Sequence, residues 1–144
     1  MIHNLVQLSN KISNISSINL CKHFVNRYNG DDWKQFINYK DKIKYDDMGY
    51  SKIKLPLRTD YKQLYLLEWE KNALTNKHKH YDEGCLFKIL EGSLKESLFD
   101  KNQNQFRIMY HGIDNISYLN NKNIYHSIKN NNNDKSYSLH IYSK

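Results

Sequence analysis

The sequence predicts a single-domain, mainly β protein with a short helical N-terminal cap over residues 1–45 and a small β-barrel over residues 46–144. From Gly49 onward, short runs that favour strands are separated by Asn or Gly clusters, a pattern typical of a sandwich or a closed barrel. Aromatic residues make up 13% of the chain, and twelve of them are tyrosines, which favour strands. A chain of 144 residues can bury one hydrophobic core but not two.

The N-terminal part is predicted to be helical. The best helix has Ser17 as its N-cap, places Cys21 on an apolar face, and stops at Asn29-Gly30. Asp31 or Asp32 can cap a further short helix, because acidic residues are favourable at the positive end of the helix dipole. The predicted helices cover Ile2–Ile12, Ile18–Tyr28 and a short segment that contains Trp33, Phe36 and Ile37.

Strands are predicted for the rest of the chain, and Pro56 marks a turn or an edge position between the first two. The predicted strands are Tyr50–Leu55, Lys62–Trp69, Lys77–His80, Cys85–Leu90, Ser93–Phe99, Gln105–Gly112, Ile116–Leu119, Ile124–Lys129 and Tyr137–Ser143. The Asn-rich run at 130–133 is interpreted as loop filler without a function.

The charge of the chain indicates a solvated basic surface. The formal net charge is +7, from 22 Lys and Arg against 15 Asp and Glu. The lysines are scattered through every segment, and no Arg-rich helix or aromatic-interleaved basic motif accompanies them. We therefore expect no dedicated nucleic-acid site.

Cysteine usage and apolar runs indicate the compartment. Cys21 and Cys85 are far apart and form no CxxC pair, which favours a reducing environment. The N-terminus lacks the apolar core of a signal peptide, and the chain contains no 18-residue apolar run. We expect a soluble cytoplasmic monomer without a membrane segment.

The segment from Leu64 to Phe99 carries the first candidate site. His78 and His80 are two residues apart, so on an extended chain both imidazoles point to the same face and can share one metal ion. Cys85 then opens an apolar run that ends at the turn signal Glu91-Gly92. An isolated His-x-His pair is a weak signal, because a Lys- and His-rich loop can produce it by chance.

The whole arrangement of Trp69, His78-x-His80, Cys85 and Gly92, followed by a Leu-Lys-Glu strand, resembles the first metal-binding motif of the cupins. More narrowly, it resembles the cysteine dioxygenase family, in which a cysteine replaces the carboxylate of most cupins. The resemblance implies a cupin barrel of the jelly-roll type.

His126, followed after three residues by Asn130, resembles the second cupin motif and so becomes the third candidate ligand. A site of three histidines is compatible with iron or zinc, and the resemblance implies Fe(II). The other histidines outside the last strand, at positions 3, 23 and 111, are interpreted as surface or packing residues.

Ser138, His140 and Tyr142 alternate along the last strand and share one face. They resemble the Ser-x-His-x-Tyr strand of the cysteine dioxygenases, in which the tyrosine stands beside the iron and can form a thioether with the cysteine that is Cys85 here. In that family the serine and histidine orient the tyrosine. We expect Cys85 and Tyr142 to face each other across the barrel, and a nearby cation to favour the Cys85 thiolate. For each residue alone, ordinary packing is the simpler interpretation.

Tyr50-Ser51-Lys52 resembles a Tyr-x-Arg element whose arginine holds the substrate carboxylate in the family. Lys52 replaces a planar two-pronged donor by a single ammonium. Arg58 is a second candidate for this contact if Pro56 redirects the chain.

The resemblance implies a non-haem Fe(II) thiol dioxygenase that oxidises L-cysteine with O2 to cysteine sulfinic acid. Lys52 leaves open another thiol, such as 3-mercaptopropionate, cysteamine or an N-terminal cysteine. The chain ends at Lys144, soon after the last strand, so we expect a more open pocket than in the family. A metal-binding cupin without catalysis is the remaining alternative.

Overall fold

The computed structural model describes residues 1–80 and 84–144 as two antiparallel β-sheets with a helical layer at the N-terminus. The elements in chain order are α1 (Leu5–Ile12), α2 (Ile18–Arg27), a 3-10 helix (Asp32–Phe36), β1 (Ile43–Tyr45), β2 (Tyr50–Lys54), β3 (Lys62–Trp69), β4 (Cys85–Glu91), β5 (Leu94–Phe99), β6 (Gln105–His111), β7 (Ile116–Leu119), β8 (Tyr125–Lys129) and β9 (Ser136–Ser143). The mainly β class with a helical cap is confirmed.

The strands form a six-stranded sheet in the order β1-β2-β3-β9-β4-β7 and a three-stranded sheet in the order β6-β5-β8. Leu67, Trp69 and Phe87 of the larger sheet pack with Leu94 and Ile128 of the smaller one, so the sheets face each other across an apolar core. The sheets are open rather than closed, so the barrel takes the form of a jelly-roll sandwich.

The helical layer covers the outer face of the larger sheet. Leu8 of α1 and Val25 of α2 are fully buried with Leu86, Leu139 and Ile141 of the sheet. Period-two alternation explains why the sheet has two apolar faces, since alternate residues of β3, β4 and β9 point to the helices and the others to the small sheet. Cys21 is a buried residue of this core, as predicted.

Two buried lysines fasten the helices to the sheet. The Lys88 ammonium donates hydrogen bonds to the carbonyl oxygens of Asn26, at 2.9 Å, and Tyr28, at 2.5 Å, beside the C-terminal end of α2. These carbonyls lack partners within the helix, so a cation there satisfies them. The Lys62 ammonium binds the carbonyls of Ile15 and Ser16 in the turn between the helices. Within the parts of the chain that the structure describes, no helix is long and apolar enough to cross a bilayer.

The segment Lys77–His80 is not the strand that the sequence predicted. Only His78 forms a bridge, in which its amide donates to the His126 carbonyl at 3.0 Å and its carbonyl accepts from the His126 amide at 2.8 Å. This single bridge still fixes the two histidines beside each other. The strand Ile43–Tyr45, which the sequence did not predict, pairs with β2 at the sheet edge.

Asn130 is a structural node, which contradicts the interpretation of residues 130–133 as filler. Its side-chain amide nitrogen donates to the carbonyls of Trp69, Glu70 and Asp134 at 3.0 to 3.1 Å. Its side-chain oxygen accepts from the Ser136 hydroxyl and the Asn132 amide. The buried side chain thus ties the end of β3 to the β8–β9 connection, next to the strand that carries His126.

Candidate metal centre

A cavity of about 310 Å³ lies between the two sheets. Its lining comes mainly from the inward-facing positions of β2, β3, β4, β8 and β9. The lining residues are Tyr50, Lys52, Leu67, Trp69, Thr75, His78, His80, Cys85, His126, Ile128, His140 and Tyr142. Most of the residues that the sequence singled out for chemistry therefore meet in one place.

His78, His80 and His126 form a cluster in which one ring nitrogen of each lies within 4.8 Å of the others. Nε2 of His80 is 3.1 Å from Nε2 of His126. Nδ1 of His78 lies 2.8 Å from the Asn76 carbonyl, and a carbonyl can only accept, so that nitrogen carries the proton. The Nε2 atom of His78 is then the one with a free lone pair.

Two of the rings, those of His78 and His80, suit a divalent metal because their surroundings keep them neutral. Burial, followed by the neighbouring imidazoles, lowers the pKa of His80 to about 3. Burial, again followed by the His126 ring, also lowers the pKa of His78. Neutral imidazole is the form that binds metal ions, and three imidazoles are a donor set suited to iron or zinc. The cluster fits such an ion.

Glu96 is a site residue that the sequence analysis missed. It is fully buried on β5, and its Oε2 lies 2.7 Å from Nδ1 of His126. Burial alone would raise the pKa of Glu96, but hydrogen bonds from His111, His126 and Ser117 lower it to about 2. The available signal was an acidic residue on the apolar side of the alternating run Leu94–Phe99. His111 is a buried partner of this carboxylate rather than a surface residue.

Trp69, Ser138, His140 and Tyr142 form one hydrogen-bonded chain. The Trp69 indole N–H donates to the Ser138 hydroxyl at 2.8 Å, which lies 2.8 Å from Nε2 of His140, and Nδ1 of His140 lies 3.0 Å from the Tyr142 hydroxyl. Burial lowers the pKa of His140 well below its usual value, so the ring is neutral. With the indole already donating to Ser138, we assign the serine proton to Nε2, which leaves Nδ1–H to donate to Tyr142. The tyrosine proton is then free to point at Cys85.

Cys85 and Tyr142 are neighbours on adjacent strands rather than residues that face each other across a barrel. Leu86 pairs with Ile141, so one further step of the same register places Cys85 directly opposite Tyr142. Their side chains are in hydrogen-bond contact. Burial raises the pKa of Cys85 to about 12, which opposes the thiolate that we expected.

Tyr50 and Lys52 line the cavity, whereas Arg58 does not. The Tyr50 ring stacks on Trp69, with centroids 5.0 Å apart. The Lys52 ammonium lies 4.2 Å from the Tyr65 ring centroid and 4.8 Å from that of Tyr142, and burial lowers its pKa. Arg58 is exposed on the β2–β3 connection, which is tied to the helical layer by the Asp60 amide and the Ser13 carbonyl. The structure therefore gives Arg58 no place in this cavity.

Comparison with known proteins connects this arrangement to one family. The model of the family "Cysteine dioxygenase type I" matches residues 2–144. "Cysteine dioxygenase type 1" of Danio rerio is 26% identical over 154 residues, covering 99% of this chain and 74% of that protein.

Solved structures support the fold. The cupin domain of Schizosaccharomyces pombe Cnp3 superposes with a TM-score of 0.53 at 16% identity, over 66% of this chain and 64% of that one. KdgF from Halomonas sp. gives a TM-score of 0.55 at 13% identity, over 72% of this chain and 84% of that one. The jelly-roll cupin fold predicted from the sequence is thereby confirmed.

Proposed function

Because the chain belongs to the cysteine dioxygenase type I family, we propose that it is a non-haem Fe(II) thiol dioxygenase whose substrate is L-cysteine. The reaction adds both atoms of O2 to the thiol sulfur and yields cysteine sulfinic acid, so no other reductant is consumed. The observation that carries the proposal is a cluster of three histidines that opens into a cavity with a cation, Lys52, on its wall.

In this proposal, His78, His80 and His126 hold the metal through their Nε2 atoms. Bound iron would supply the redox chemistry that lets a thiolate combine with O2. Three neutral ligands add no negative charge, so the centre favours an anionic sulfur as a further ligand. Iron is preferred to zinc because of the family, since the donor set alone suits both.

The rest of the cavity would bind and orient the thiol. Lys52 would receive the substrate carboxylate, and Tyr50 would line the same side. Ser138 and His140 would hold the Tyr142 hydroxyl so that its proton points into the site. Both cysteines are free thiols, which fits a reducing compartment, so we propose a cytoplasmic location.

A second candidate function is the oxidation of a different small thiol, favoured by Lys52. An ammonium makes one contact to a carboxylate where a guanidinium makes two, so selection for a particular carboxylate geometry is weaker. 3-Mercaptopropionate, cysteamine and a peptide with an N-terminal cysteine are the thiols to compare.

The proposal predicts thiol-dependent oxygen uptake by the iron-loaded protein. The full chain would be loaded anaerobically with Fe(II), mixed with O2 and each thiol in turn, and scored for oxygen consumption and for a product that has gained two oxygen atoms. We expect L-cysteine to give the highest kcat/KM and zinc-loaded protein to be inactive. Metal binding without turnover of any thiol would instead identify a cupin that binds metal without catalysis.

We also propose that turnover joins Cys85 to Tyr142 by a thioether. The two residues are directly opposite on neighbouring strands, so a bond from sulfur to the tyrosine ring needs no strand movement. The step removes one hydrogen from the thiol and one from the ring, and O2 accepts the two electrons and two protons.

The expected result is a fraction of the protein that is lighter by two hydrogen atoms after repeated turnover, with a linked peptide containing both residues. Cys85→Ser protein carried through the same turnover should keep its full mass. If active protein always yields the two peptides unlinked, the crosslink is refuted, while the dioxygenase proposal stands.

A further inference from the structure

Glu96 lies behind the candidate metal centre rather than in the cavity. In the pairing of β5 with β8, Leu98 is opposite His126 and Glu96 is opposite Ile128. Glu96 and His126 are thus diagonal neighbours on the same face, within reach of each other. The carboxylate is completely buried, so its charge and both oxygens need partners inside the protein.

Three side chains converge on this carboxylate. Nδ1 of His126 lies 2.7 Å from Oε2, while Nε2 of His111, at 2.9 Å, and the Ser117 hydroxyl, at 2.7 Å, both contact Oε1. They come from three different strands or strand ends. Such a constructed shell around one buried acid is more than packing requires, because an apolar residue would fill the same space without three matched partners.

The shell determines which nitrogen of His126 is available. A carboxylate only accepts hydrogen bonds, so Nδ1 of His126 must carry the ring proton. Nε2 then has its lone pair free, and this atom faces His80 at 3.1 Å. The Asn76 carbonyl likewise holds the ring proton of His78 on Nδ1. That carbonyl is neutral, however, whereas the Glu96 carboxylate carries a negative charge.

We propose that Glu96 is a positioning residue for the metal: it fixes the His126 ring with Nε2 toward the ion and supplies a negative charge that the three imidazoles lack. His111 and Ser117 hold Glu96 in place for this task. The inference rests on the proposed function, since it assumes that the histidine cluster binds the metal. Carboxylates that accept from a metal-bound histidine raise its basicity as a ligand.

The central test is the metal affinity of Glu96→Gln, which keeps the shape of the side chain and removes its charge. We expect the dissociation constant for Co(II), measured by competition with a chelating dye in folded full-length protein, to rise about 10- to 100-fold. Glu91→Gln is the matched control, because it removes one acid from an exposed position and should leave the constant unchanged.

A second measurement separates positioning from mere structural support. In the zinc-loaded protein, the His126 Nδ1–H resonance should be strongly downfield, and it should move upfield in Glu96→Gln as the charged acceptor is lost. A structural role alone would lower the melting temperature and leave the dissociation constant of the folded protein as it was.

If Glu96→Gln does not fold, the role of Glu96 can be tested with Ser117→Ala and His111→Gln. Each of these variants removes one hydrogen bond that holds Glu96, at a residue that does not contact the proposed metal ligands. Both should weaken Co(II) binding severalfold, and metal affinities equal to wild type would overturn the inference. A wild-type chain that binds no metal would show instead that the proposed function is wrong. Wild-type binding that is lost in His80→Ala but unchanged in Glu96→Gln would reject only the role of Glu96.

Discussion

Replacement of His80 by alanine is expected to abolish iron binding and to reduce thiol oxidation to the uncatalysed background. Two imidazoles cannot complete a site built for three, and the cavity offers no carboxylate among its described lining residues to take the place of the third. His80 is a cleaner proposed ligand to remove than His126, because it is half-buried, whereas loss of the fully buried His126 would also leave Glu96 short of a partner. His78→Ala and His126→Ala should nevertheless lose the metal as well.

Replacement of His140 should behave differently. Its two ring nitrogens contact Ser138 and Tyr142 rather than the histidine cluster, so His140→Ala should retain metal while the rate falls on the order of 100-fold through a displaced tyrosine. Iron content after desalting and the initial rate of oxygen uptake would be measured on the same samples. His23→Ala on the exposed side of α2 is the control for loss of a histidine. Equal metal loss in the His80 and His140 variants would contradict this division of roles.

Alternation along single strands was the most informative feature of the sequence. It placed Ser138, His140 and Tyr142 on one face of the last strand, and the structure puts all three on the cavity side. The strand runs, together with the Asn and Gly clusters that separate them, located most strand boundaries within one or two residues.

The pairing of strands that are distant in the sequence could not be predicted from alternation along single strands. β9 lies between β3 and β4, which makes Cys85 and Tyr142 neighbours, and no local signal in either strand specifies that order. Because the strand order was not known, the prediction of a closed barrel placed Cys85 and Tyr142 on opposite sides of the interior. The single bridge at His78 is likewise a contact with the distant His126.

Buried polar residues were also hard to interpret from the sequence. Asn130 sits in a run of identical residues, so its composition suggested filler, although its side chain has specific partners on both sides. Glu96 shares a strand face with Leu94 and Leu98, which indicates that it points inward. Only the structure shows the three partners that hold its carboxylate. In each case the deciding information is the partner, which lies far away in the sequence.

Replacement of Lys52 is expected to have the second large effect on thiol oxidation. Its ammonium is half-buried over two tyrosine rings, and within residues 1–80 and 84–144 no acidic side chain forms a salt bridge with it. Contacts with aromatic rings compensate only part of the lost hydration of a cation. A substrate carboxylate in the cavity would complete the compensation, which is why we assign it this role.

Lys52→Met, which keeps most of the side-chain length, should therefore reduce kcat/KM for L-cysteine and 3-mercaptopropionate. Removal of one member of a buried charge pair costs about 2 to 5 kcal/mol, which corresponds to roughly 30- to 5000-fold. Cysteamine has no carboxylate, so its kcat/KM should change little or rise. Lys52→Arg should keep the preference for carboxylate-bearing thiols, because the charge remains.

The matched control is Lys54→Met, since Lys54 is exposed on the same strand and its loss should leave all rates unchanged. Steady-state oxygen uptake with the three thiols gives the ratio that decides, and iron content must be shown to be equal in all variants. If L-cysteine and cysteamine lose the same factor in Lys52→Met, the ammonium acts through the packing of Tyr65 and Tyr142 and does not bind the substrate. A selective loss for the carboxylate-bearing thiols would identify Lys52 as the residue that binds the substrate carboxylate. The single ammonium would then explain why the protein accepts a wider range of thiols than a guanidinium would allow.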